Sequence, residues 1–260
     1  MNLKDLQKNW NNFGKKDPLW AILTVEAKKG NRWTPEEFFE TGRDEIEQLM
    51  EHMRGLGLTV RRNRALDFGC GVGRLTQALA KYFQEVIGVD IAPSMLTGAR
   101  KYNRYGEQCR YVLNERDDLR IFDNNYFDLI YSNIVLHHMR PEYCKAYLKE
   151  FLRILTHGGY LVFYMPSRVL KEWVPPPPEP PSPNLLPTIK RLIKRSIPKP
   201  LLNMYVKIRY ESAPVMESYC LKKDEVEAYL REYGGEVLDT TRDVTTIPNR
   251  EGYRYTVTKH

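Results

Sequence analysis

One glycine-rich stretch constrains the fold of this chain more than any other feature. Residues 65–74 have the sequence Ala-Leu-Asp-Phe-Gly-Cys-Gly-Val-Gly-Arg, which is typical of a buried strand, a tight loop and a helix that begins near Leu75. Glycines at three alternate positions let the backbone turn sharply and approach a ligand closely. The helix would direct its first N–H groups toward the loop. The stretch therefore predicts an α/β fold with a ligand-binding loop at the end of a strand.

A short apolar run supports this interpretation independently. Residues 86–90, Val-Ile-Gly-Val-Asp, place an acid 21 residues after Gly69, a distance that fits one strand–helix–strand unit. Asp90 would then stand at the tip of the neighbouring parallel strand, where a carboxylate accepts both hydroxyls of a ribose. The two signals together predict a ligand that contains a ribose.

Two details of the loop separate the candidate ligands. A dinucleotide site requires Gly-x-Gly-x-x-Gly, whereas here the third glycine comes one residue early and Arg74 stands in its place. Asp67 would also repel a pyrophosphate. An acidic loop favours a ligand with a positive end, and S-adenosylmethionine (SAM) has both a sulfonium and an ammonium. The stretch closely resembles the SAM-binding loop of class I methyltransferases, in particular the methyltransferase type 11-like domain.

The resemblance extends over residues 64–166 and implies which residues hold the cofactor. In that family the acid after the second strand binds the ribose, the next residue lies near the adenine, and residues after the third strand hold the adenine. The usual Gly-Asp of that position is replaced here by Asn114-Glu115, which leaves open whether Glu115, Asp117 or only backbone binds the adenine. Ser132 and Asn133 stand at the C-terminal end of the fourth strand, at the edge where open α/β sheets bind ligands. The expected SAM-binding residues are Asp67, Gly69, Cys70, Gly71, Asp90, Ile91, Asn114, Glu115 and Ser132.

Two adjacent histidines, His137 and His138, follow the fourth strand. A histidine here would lie beside the methyl group and accept a proton from the acceptor. The family commonly shows Leu-His-His at this point, and His138 is the catalytic candidate. The alternative is that one histidine caps the next helix or packs locally. No cluster of metal ligands is visible in the sequence, so we expect no metal.

The order of motifs predicts an α/β fold with a doubly wound, seven-stranded, mostly parallel sheet of the class I methyltransferase, Rossmann-like type. We expect an N-terminal helical cap or lid at 1–64, the SAM-binding core at 65–166 and a Pro-rich, basic amphipathic insertion at 167–215. Residues 216–260 should form a helix and two strands that complete the sheet. The last strand is expected to lie inside the sheet although it is terminal.

The residues before the core contain strong helix signals. Residues 34–37, Thr-Pro-Glu-Glu, predict a capped helix start, and a longer helix is expected over about 43–54. These helices either close the cofactor cleft as a lid or pack on the edge of the sheet. As a lid, they would contact the ligand through Trp10, Trp20 and residues 38–42.

The expected insertion is rich in proline and in positive charge. Ten of the 17 prolines lie between Pro175 and Pro200, and residues 174–181 should form an extended polyproline spacer. Residues 188–197 place apolar side chains on one helical face and four cations opposite. The stretch 171–211 has eight Lys or Arg and three Glu, so it contributes +5 of the net charge of +7. The segment 188–210, which contains this basic helix, either contacts an anionic membrane peripherally or packs on the domain as a lid.

Composition narrows the class of protein further. An apolar share of 42% is ordinary for a soluble protein, and no run is long enough to span a membrane. The first residues are polar and lack a signal-peptide core. The four cysteines are far apart and form no Cys-x-x-Cys, which is typical of reduced thiols. We therefore expect a cytoplasmic protein whose membrane contact is at most peripheral.

The expected function is transfer of a methyl group from SAM to an oxygen or nitrogen of a small-molecule, lipid or glycan acceptor. Nucleic acid is a less favoured acceptor, because residues 132–135, Ser-Asn-Ile-Val, stand where enzymes acting on nucleobases or planar amides have Asn-Pro-Pro-Tyr or Asp-Pro-Pro-Tyr. Three other interpretations stay open: a nucleic-acid or protein methyltransferase that uses the basic insertion, a non-catalytic SAM-binding partner subunit, and a dehydrogenase. Steep salt dependence of binding would indicate a nucleic-acid or protein methyltransferase. A cleft closed by the insertion would indicate a non-catalytic subunit, and tight NAD binding would indicate a dehydrogenase.

Overall fold

The computed structural model describes residues 1–170 and 214–260. In these residues the chain forms seven α-helices and seven β-strands. In chain order they are α1 (Leu3–Lys16), α2 (Pro18–Ile22), α3 (Pro35–Gly55), β1 (Arg64–Phe68), α4 (Arg74–Leu79), β2 (Glu85–Asp90), α5 (Pro93–Tyr102), β3 (Cys109–Leu113), β4 (Phe127–Ser132), α6 (Pro141–Ile154), β5 (Leu155–Val169), α7 (Lys223–Glu232), β6 (Gly235–Asp243) and β7 (Arg250–Lys259).

The seven strands form one sheet in the order β3-β2-β1-β4-β5-β7-β6. Strands β1 to β5 run parallel to one another, and β7 pairs antiparallel with both β5 and β6. This arrangement confirms the predicted doubly wound, mostly parallel sheet with the C-terminal strand inside it. The strand order reverses between β1 and β4, and open α/β sheets bind ligands at the carboxyl ends of the strands that flank such a point.

Helices cover both faces of the central strands, which explains why those strands are almost continuously apolar. Alternate residues of β1 point to opposite faces of the sheet. Leu66 and Phe68 pack with α6 and α7, whereas Ala65 packs with α3 and α4. Asp67 shares the second face, so the acid that precedes the glycine loop is buried under α4.

Helix α1 lies within the predicted helical region 1–64, although no motif in the sequence marked its bounds. It begins after Asn2, whose side chain accepts the N–H of Asp5 at 2.9 Å. Helix α2 follows at once, with Asp17 as its cap and Pro18 in its first turn. The fixed φ of proline suits that position, and the two short helices together place the first 22 residues beside the core.

Helix α3 differs from the prediction in its length. The predicted capping box of Thr34 and Glu37 is present, but it begins one helix of 21 residues, so no separate helix starts near residue 43. The helix continues through Gly42 and packs closely on the loop that follows β1. A Cβ at Gly42 would lie 2.6 Å from the carbonyl oxygen of Arg74, so the glycine permits this close approach.

Strand β5 is longer at both ends than the sequence predicts. Residues 156–159, Thr-His-Gly-Gly, predict a turn after the helix that precedes them, but β5 begins directly after α6. Its pairing with β4 shifts register between Phe127 and Leu129, so the expected turn residues form an irregular start of the strand. At its other end β5 reaches Val169, beyond the predicted end of the core at residue 166.

Residues 1–171 and 216–260 form one compact unit. The second unit, 172–215, lies almost entirely outside the described residues, and so do the predicted polyproline spacer and basic helix. In the part of the chain that the structure describes, no helix is both long and apolar enough to cross a membrane.

Candidate functional site

The glycine loop between β1 and α4 has the conformation that its sequence requires. Gly69, Gly71 and Gly73 have φ angles of +77°, +54° and +83°, in the left-handed region that favours glycine. A Cβ on Gly69 would lie 2.4 Å from the Val135 methyl groups, and one on Gly71 would lie 2.4 Å from Ile22. Both the backbone angle and the available space therefore require glycine at these two positions.

Asp90, at the end of β2, holds the loop in place. Its two carboxylate oxygens accept the N–H of Gly71 and the N–H of Ala92, each at 2.8 Å. Burial raises the pKa of Asp90 in spite of these bonds. Each oxygen keeps a second lone pair, so the carboxylate can accept further hydrogen bonds from a ligand.

Asp67, near the end of β1, is almost fully buried. Its carboxylate accepts a hydrogen bond from the Thr76 hydroxyl at 2.6 Å. Burial raises the pKa of Asp67 to about 7, while the Thr76 hydrogen bond and the nearby charge of Arg74 oppose this shift. A carboxyl group with a pKa near neutrality changes its charge readily when a cation comes close.

A partly buried polar cluster joins α3 to the start of α4, beside the loop. Glu45 accepts hydrogen bonds from the Arg74 guanidinium at 2.7 Å, the Tyr131 hydroxyl at 2.9 Å and the Asn133 amide at 2.7 Å. Arg74 also donates to the Thr41 hydroxyl at 3.3 Å. Glu45 thus balances the charge of Arg74 beside the loop and orients Asn133. Sequence reasoning missed Glu45, because nothing in the sequence of α3 marks this acid as facing the loop.

A cavity of about 470 Å³, which we call the central cavity, lies at the carboxyl ends of β1 and β2 and beside the residues that follow β4. This volume is in the ordinary range for small-molecule sites. Eight of the ten predicted site residues border it: Asp67, Gly69, Cys70, Gly71, Asp90, Ile91, Asn114 and His138. The fold thus brings together residues that are up to 71 positions apart in the sequence.

Asn114 borders the central cavity and orders the loop after β3. Its Nδ2 donates to the carbonyl oxygens of Arg116 and Asp118, at 3.2 and 2.9 Å. Its backbone N–H donates to the carbonyl oxygen of Asp90 at 3.0 Å. The side chain is therefore occupied by its own loop, and the contribution of this residue to the cavity is mainly to its shape.

The structure does not place Glu115 and Ser132 on the wall of the central cavity. Glu115 is exposed and accepts a hydrogen bond from Gln7 of α1 at 2.6 Å. Ser132 is fully buried, and its hydroxyl donates to the carbonyl oxygen of Phe68 at 3.3 Å. Their roles as SAM ligands stay predictions.

Helix α1 and the segment after α2 border the central cavity. Asn11 fastens α1 to the start of α5, because Ser94 donates to it through both its N–H and its hydroxyl at 2.9 Å. Gln7 donates to the carbonyl oxygen of Ile91 at 3.1 Å. The bordering residues of this segment are Leu3, Leu6, Trp10 and residues 21–25.

Of the three contacts predicted for a lid, only Trp10 borders the central cavity. Trp20 and residues 38–42 do not line it. Phe38 packs instead with Phe13 and Val72 in a separate apolar cluster. The segments nearest the cavity are therefore α1 and the residues that follow α2.

His138 lies in a short 3-10 helix, Leu136–His138, after β4. Its Nδ1 is 2.7 Å from the carbonyl oxygen of Glu217. Since a carbonyl oxygen only accepts, Nδ1 carries the proton and Nε2 keeps its lone pair. Burial lowers the pKa of His138, so the ring is neutral at pH 7. The ring packs against Trp10, with ring centroids 4.9 Å apart, and can accept a proton at Nε2.

Part of the cavity wall comes from segments that sequence reasoning did not connect with the site. They are Met216, Ser218 and residues 245–248. Asp243 fixes the last of these segments, since its carboxylate accepts the N–H groups of Thr245 and Thr246 at 2.7 and 3.0 Å. No local sequence signal identifies these residues. The pairing of β7 with β5 brings residues 245–248 to the cavity, and the hydrogen bond from the N–H of Tyr219 to the carbonyl oxygen of His137, at 2.8 Å, holds Met216 and Ser218 there.

Among the described residues, no group of three or more His, Cys, Asp or Glu side chains is arranged to hold a metal ion. The four cysteines are free thiols. Burial raises the pKa of Cys70 well above its ordinary value, so the thiol that borders the central cavity stays protonated.

Comparisons with known proteins agree with this architecture. Residues 66–163 match a family described as a methyltransferase domain. An uncharacterized methyltransferase of Synechocystis is 34% identical over 96 residues, which are 37% of this chain and 43% of that protein. A ubiquinone biosynthesis O-methyltransferase of Coxiella burnetii is 29% identical over 168 residues, which are 64% of this chain and 59% of that protein. The chain thus spans about half the length of these two curated relatives.

Solved structures share the fold over nearly the whole chain. The magnesium protoporphyrin IX methyltransferase of Synechocystis, crystallised with bound SAH, has a TM-score of 0.61 at 16% identity and covers 98% of each chain. The sheet topology is that of the class I methyltransferases. Residues 66–163 thus match the methyltransferase domain family, in agreement with the resemblance of the glycine loop and the strands around it.

Proposed function

We propose that this protein transfers a methyl group from SAM to a hydroxyl oxygen of a small, largely apolar acceptor. The observation that carries the proposal is the composition of the central cavity. It combines the glycine backbone of the loop, the buried carboxyl group of Asp67, the half-buried carboxyl group of Asp90 and a histidine, His138, whose Nε2 is free to accept a proton. These are the groups that a cationic nucleoside and a hydroxyl acceptor would require.

The residues of the central cavity fit SAM better than a dinucleotide. Asp67 offers negative charge to the sulfonium and ammonium of SAM, and Asp90 offers lone pairs to the ribose hydroxyls. The described residues that border the cavity include no lysine and one arginine, Arg74, whose guanidinium already pairs with Glu45 at 2.7 Å. A pyrophosphate would therefore meet two carboxyl groups and little positive charge.

When bound, SAM would supply an electrophilic methyl group to the acceptor oxygen, and the electron pair of the carbon–sulfur bond would stay on sulfur. His138 accepts the hydroxyl proton at Nε2, because its Nδ1–H is held by the carbonyl oxygen of Glu217. Burial lowers the pKa of His138, so the ring is unprotonated before the step. Trp10 of α1 packs against the same ring and limits the access of water to it.

Two observations favour a hydroxyl acceptor. A neutral amine needs no base before it attacks, whereas a hydroxyl gains from one, and the hydrogen bond of His138 leaves it arranged as a base. The name of the Coxiella relative describes an O-methyltransferase, which supports the same chemistry here. The remaining wall of the central cavity suits an apolar acceptor, because it includes Leu23, Val25, Met139, Met216 and Ile247.

The proposal is tested with the full chain, SAM with a tritiated methyl group, and a panel of hydroxylated small molecules beside their amine counterparts. The informative variant is His138→Asn, since the amide of asparagine can replace the Nδ1–H donor but has no base at the position of Nε2. The matched control is His157→Asn, which changes an exposed histidine. We expect label in the hydroxyl compounds and a kcat that is roughly 10²–10⁴-fold lower in His138→Asn, with SAM affinity unchanged.

Methylation of the amines alone would contradict the choice of acceptor atom. A kcat for His138→Asn equal to that of His157→Asn would contradict the role of the base. Absence of SAM binding by the unaltered protein would refute the proposal as a whole.

A further inference from the structure

A second pocket, of about 290 Å³, lies between α3 and α4 and beside residues 104–105. We call it the α3–α4 pocket. Among the residues that the structure describes, it shares only Arg74 with the border of the central cavity. Its lining residues are Phe39, Arg43, Arg74, Gln77, Arg104 and Tyr105.

The lining is rich in positive charge and in hydrogen-bond donors. Three guanidinium groups border the α3–α4 pocket, and its described lining contains no carboxylate. Arg104 pairs with Glu36 at 3.5 Å, but both side chains are about 70% exposed, so this ion pair is weak. Arg43 pairs with the exposed Glu40 on the same helix. These two arginines can therefore turn toward a ligand at little cost.

Two buried donors that belong to residues lining the α3–α4 pocket have no acceptor among the described residues. They are Nε2 of Gln77, which is 6% exposed, and Nε of Arg74, which is 4% exposed. The amide orientation of Gln77 is fixed, because its Oε1 accepts the N–H of Arg104 at 3.1 Å. Buried donors in native proteins are nearly always paired, so these two point to a ligand that accepts hydrogen bonds.

The size and the aromatic walls limit what that ligand can be. A volume of about 290 Å³ is at the lower end for ligand pockets, which suits a small molecule and not a nucleotide. Phe39 and Tyr105 are half-buried and offer apolar surface beside the donors. Arginine binds phosphate oxygens through paired hydrogen bonds.

We propose that the α3–α4 pocket binds a small phosphate monoester. Its phosphate oxygens accept from Gln77, Arg43 and Arg104, and its apolar part packs against Phe39 and Tyr105. The site is separate from the central cavity, and the proposal does not depend on methyl transfer.

The test is a calorimetric titration of the full chain with phenyl phosphate at constant ionic strength, compared with inorganic phosphate and with phenol. We expect one phenyl phosphate per chain, weaker binding of inorganic phosphate, and no binding of phenol. Arg104→Gln should weaken the binding of phenyl phosphate roughly tenfold, since it removes a charged hydrogen bond. The matched control Arg120→Gln, which also removes an exposed arginine with a surface ion pair, should leave that binding unchanged.

A second variant, Gln77→Glu, separates loss of the site from loss of the fold. The new carboxylate keeps an acceptor for the N–H of Arg104 and puts negative charge among the three guanidinium groups. We expect it to abolish the binding of phenyl phosphate and to raise the midpoint of thermal unfolding. A SAM titration of each variant shows whether the central cavity is intact.

The proposal is overturned if phenyl phosphate does not saturate the unaltered protein, or if Arg104→Gln and Arg120→Gln bind it equally. Equal binding of phenyl phosphate and inorganic phosphate would overturn the roles of Phe39 and Tyr105. Unchanged binding in Gln77→Glu would overturn the role of the amide.

Discussion

The carboxyl group of Asp67 should lose a proton when the central cavity binds SAM. Burial raises the pKa of Asp67 to about 7 in the ligand-free protein, and a cationic ligand would lower that pKa again. Below pH 7 binding must then release a proton, so SAM affinity should rise with pH and level off above 7. Worked from these values, the Kd at pH 6 should be roughly tenfold higher than at pH 8.

The variant that isolates this effect is Asp67→Asn. Asparagine can still accept the hydrogen bond that the Thr76 hydroxyl donates at 2.6 Å, but it neither titrates nor attracts a cation. The pH dependence of SAM binding should therefore flatten, and the affinity at pH 8 should fall. The thiols of Cys70 and Cys109 stay protonated in this range because burial raises the pKa of both.

The raised pKa of Asp67 also makes the folding stability depend on pH. The folded pKa of Asp67, about 7, is above its ordinary value near 4, so the folded protein binds more protons than the unfolded chain between these pH values. Its contribution to stability is full below pH 4, declines as the pH rises, and is lost above pH 7. Asp67→Asn should consequently be more stable than the unaltered protein at pH 8, by on the order of 4 kcal/mol at most.

The assay is calorimetric titration with SAM between pH 5.5 and 8 in buffers of different ionisation enthalpy, together with urea unfolding at the same pH values. Proton release should be largest near pH 6 and absent in Asp67→Asn. A SAM affinity that does not vary with pH in the unaltered protein, or that varies equally in the variant, would refute the reasoning.

Two further substitutions test the loop and the helix that packs on it. Gly71→Ala should weaken SAM binding at least tenfold and lower the free energy of unfolding by about 1–3 kcal/mol. The reason is that the φ of Gly71 is +54° and a Cβ there would lie 2.4 Å from Ile22. A SAM affinity that calorimetry finds unchanged would contradict the assigned loop geometry. Thr34→Ala should destabilise the protein by about 1 kcal/mol in urea unfolding, because Thr34 and Glu37 form a capping box. A similar loss in Thr97→Ala, where an exposed hydroxyl bonds only within its own helix, would show that the cap is not the cause.

The sequence predicted those parts of the site in which one residue type meets a strict local requirement. Positive φ and close approach require glycine at positions 69 and 71, so the loop is visible in the sequence itself. The position of Asp90 could also be predicted, because the spacing between successive parallel strands follows from the length of the helix between them. The order of the motifs along the chain and the two C-terminal strands predicted the type of sheet.

The parts that sequence reasoning missed depend on contacts between distant segments. Glu45 meets Arg74 and Tyr131 only after α3 has packed on the loop. The wall formed by residues 245–248 depends on the position of β7 between β5 and β6. Neither contact has a periodicity or a motif, so a single sequence contains no signal for them. Glu115 is the opposite case, because its position in the sequence predicted a place at the cavity. The residue follows β3 as expected, but it lies away from the cavity and accepts a hydrogen bond from Gln7.

The most direct test of the proposed function is calorimetric titration of the full chain with SAM, with NAD as the competing ligand. The critical variant is Asp90→Asn, which keeps the size of the side chain, and its control is Asp123→Asn at an exposed position. Circular dichroism would establish that both variants are folded. We predict one SAM per chain with micromolar affinity, at least tenfold weaker binding in Asp90→Asn, no change in Asp123→Asn and no binding of NAD. Binding of NAD in place of SAM, or SAM binding that is indifferent to Asp90, would contradict the account.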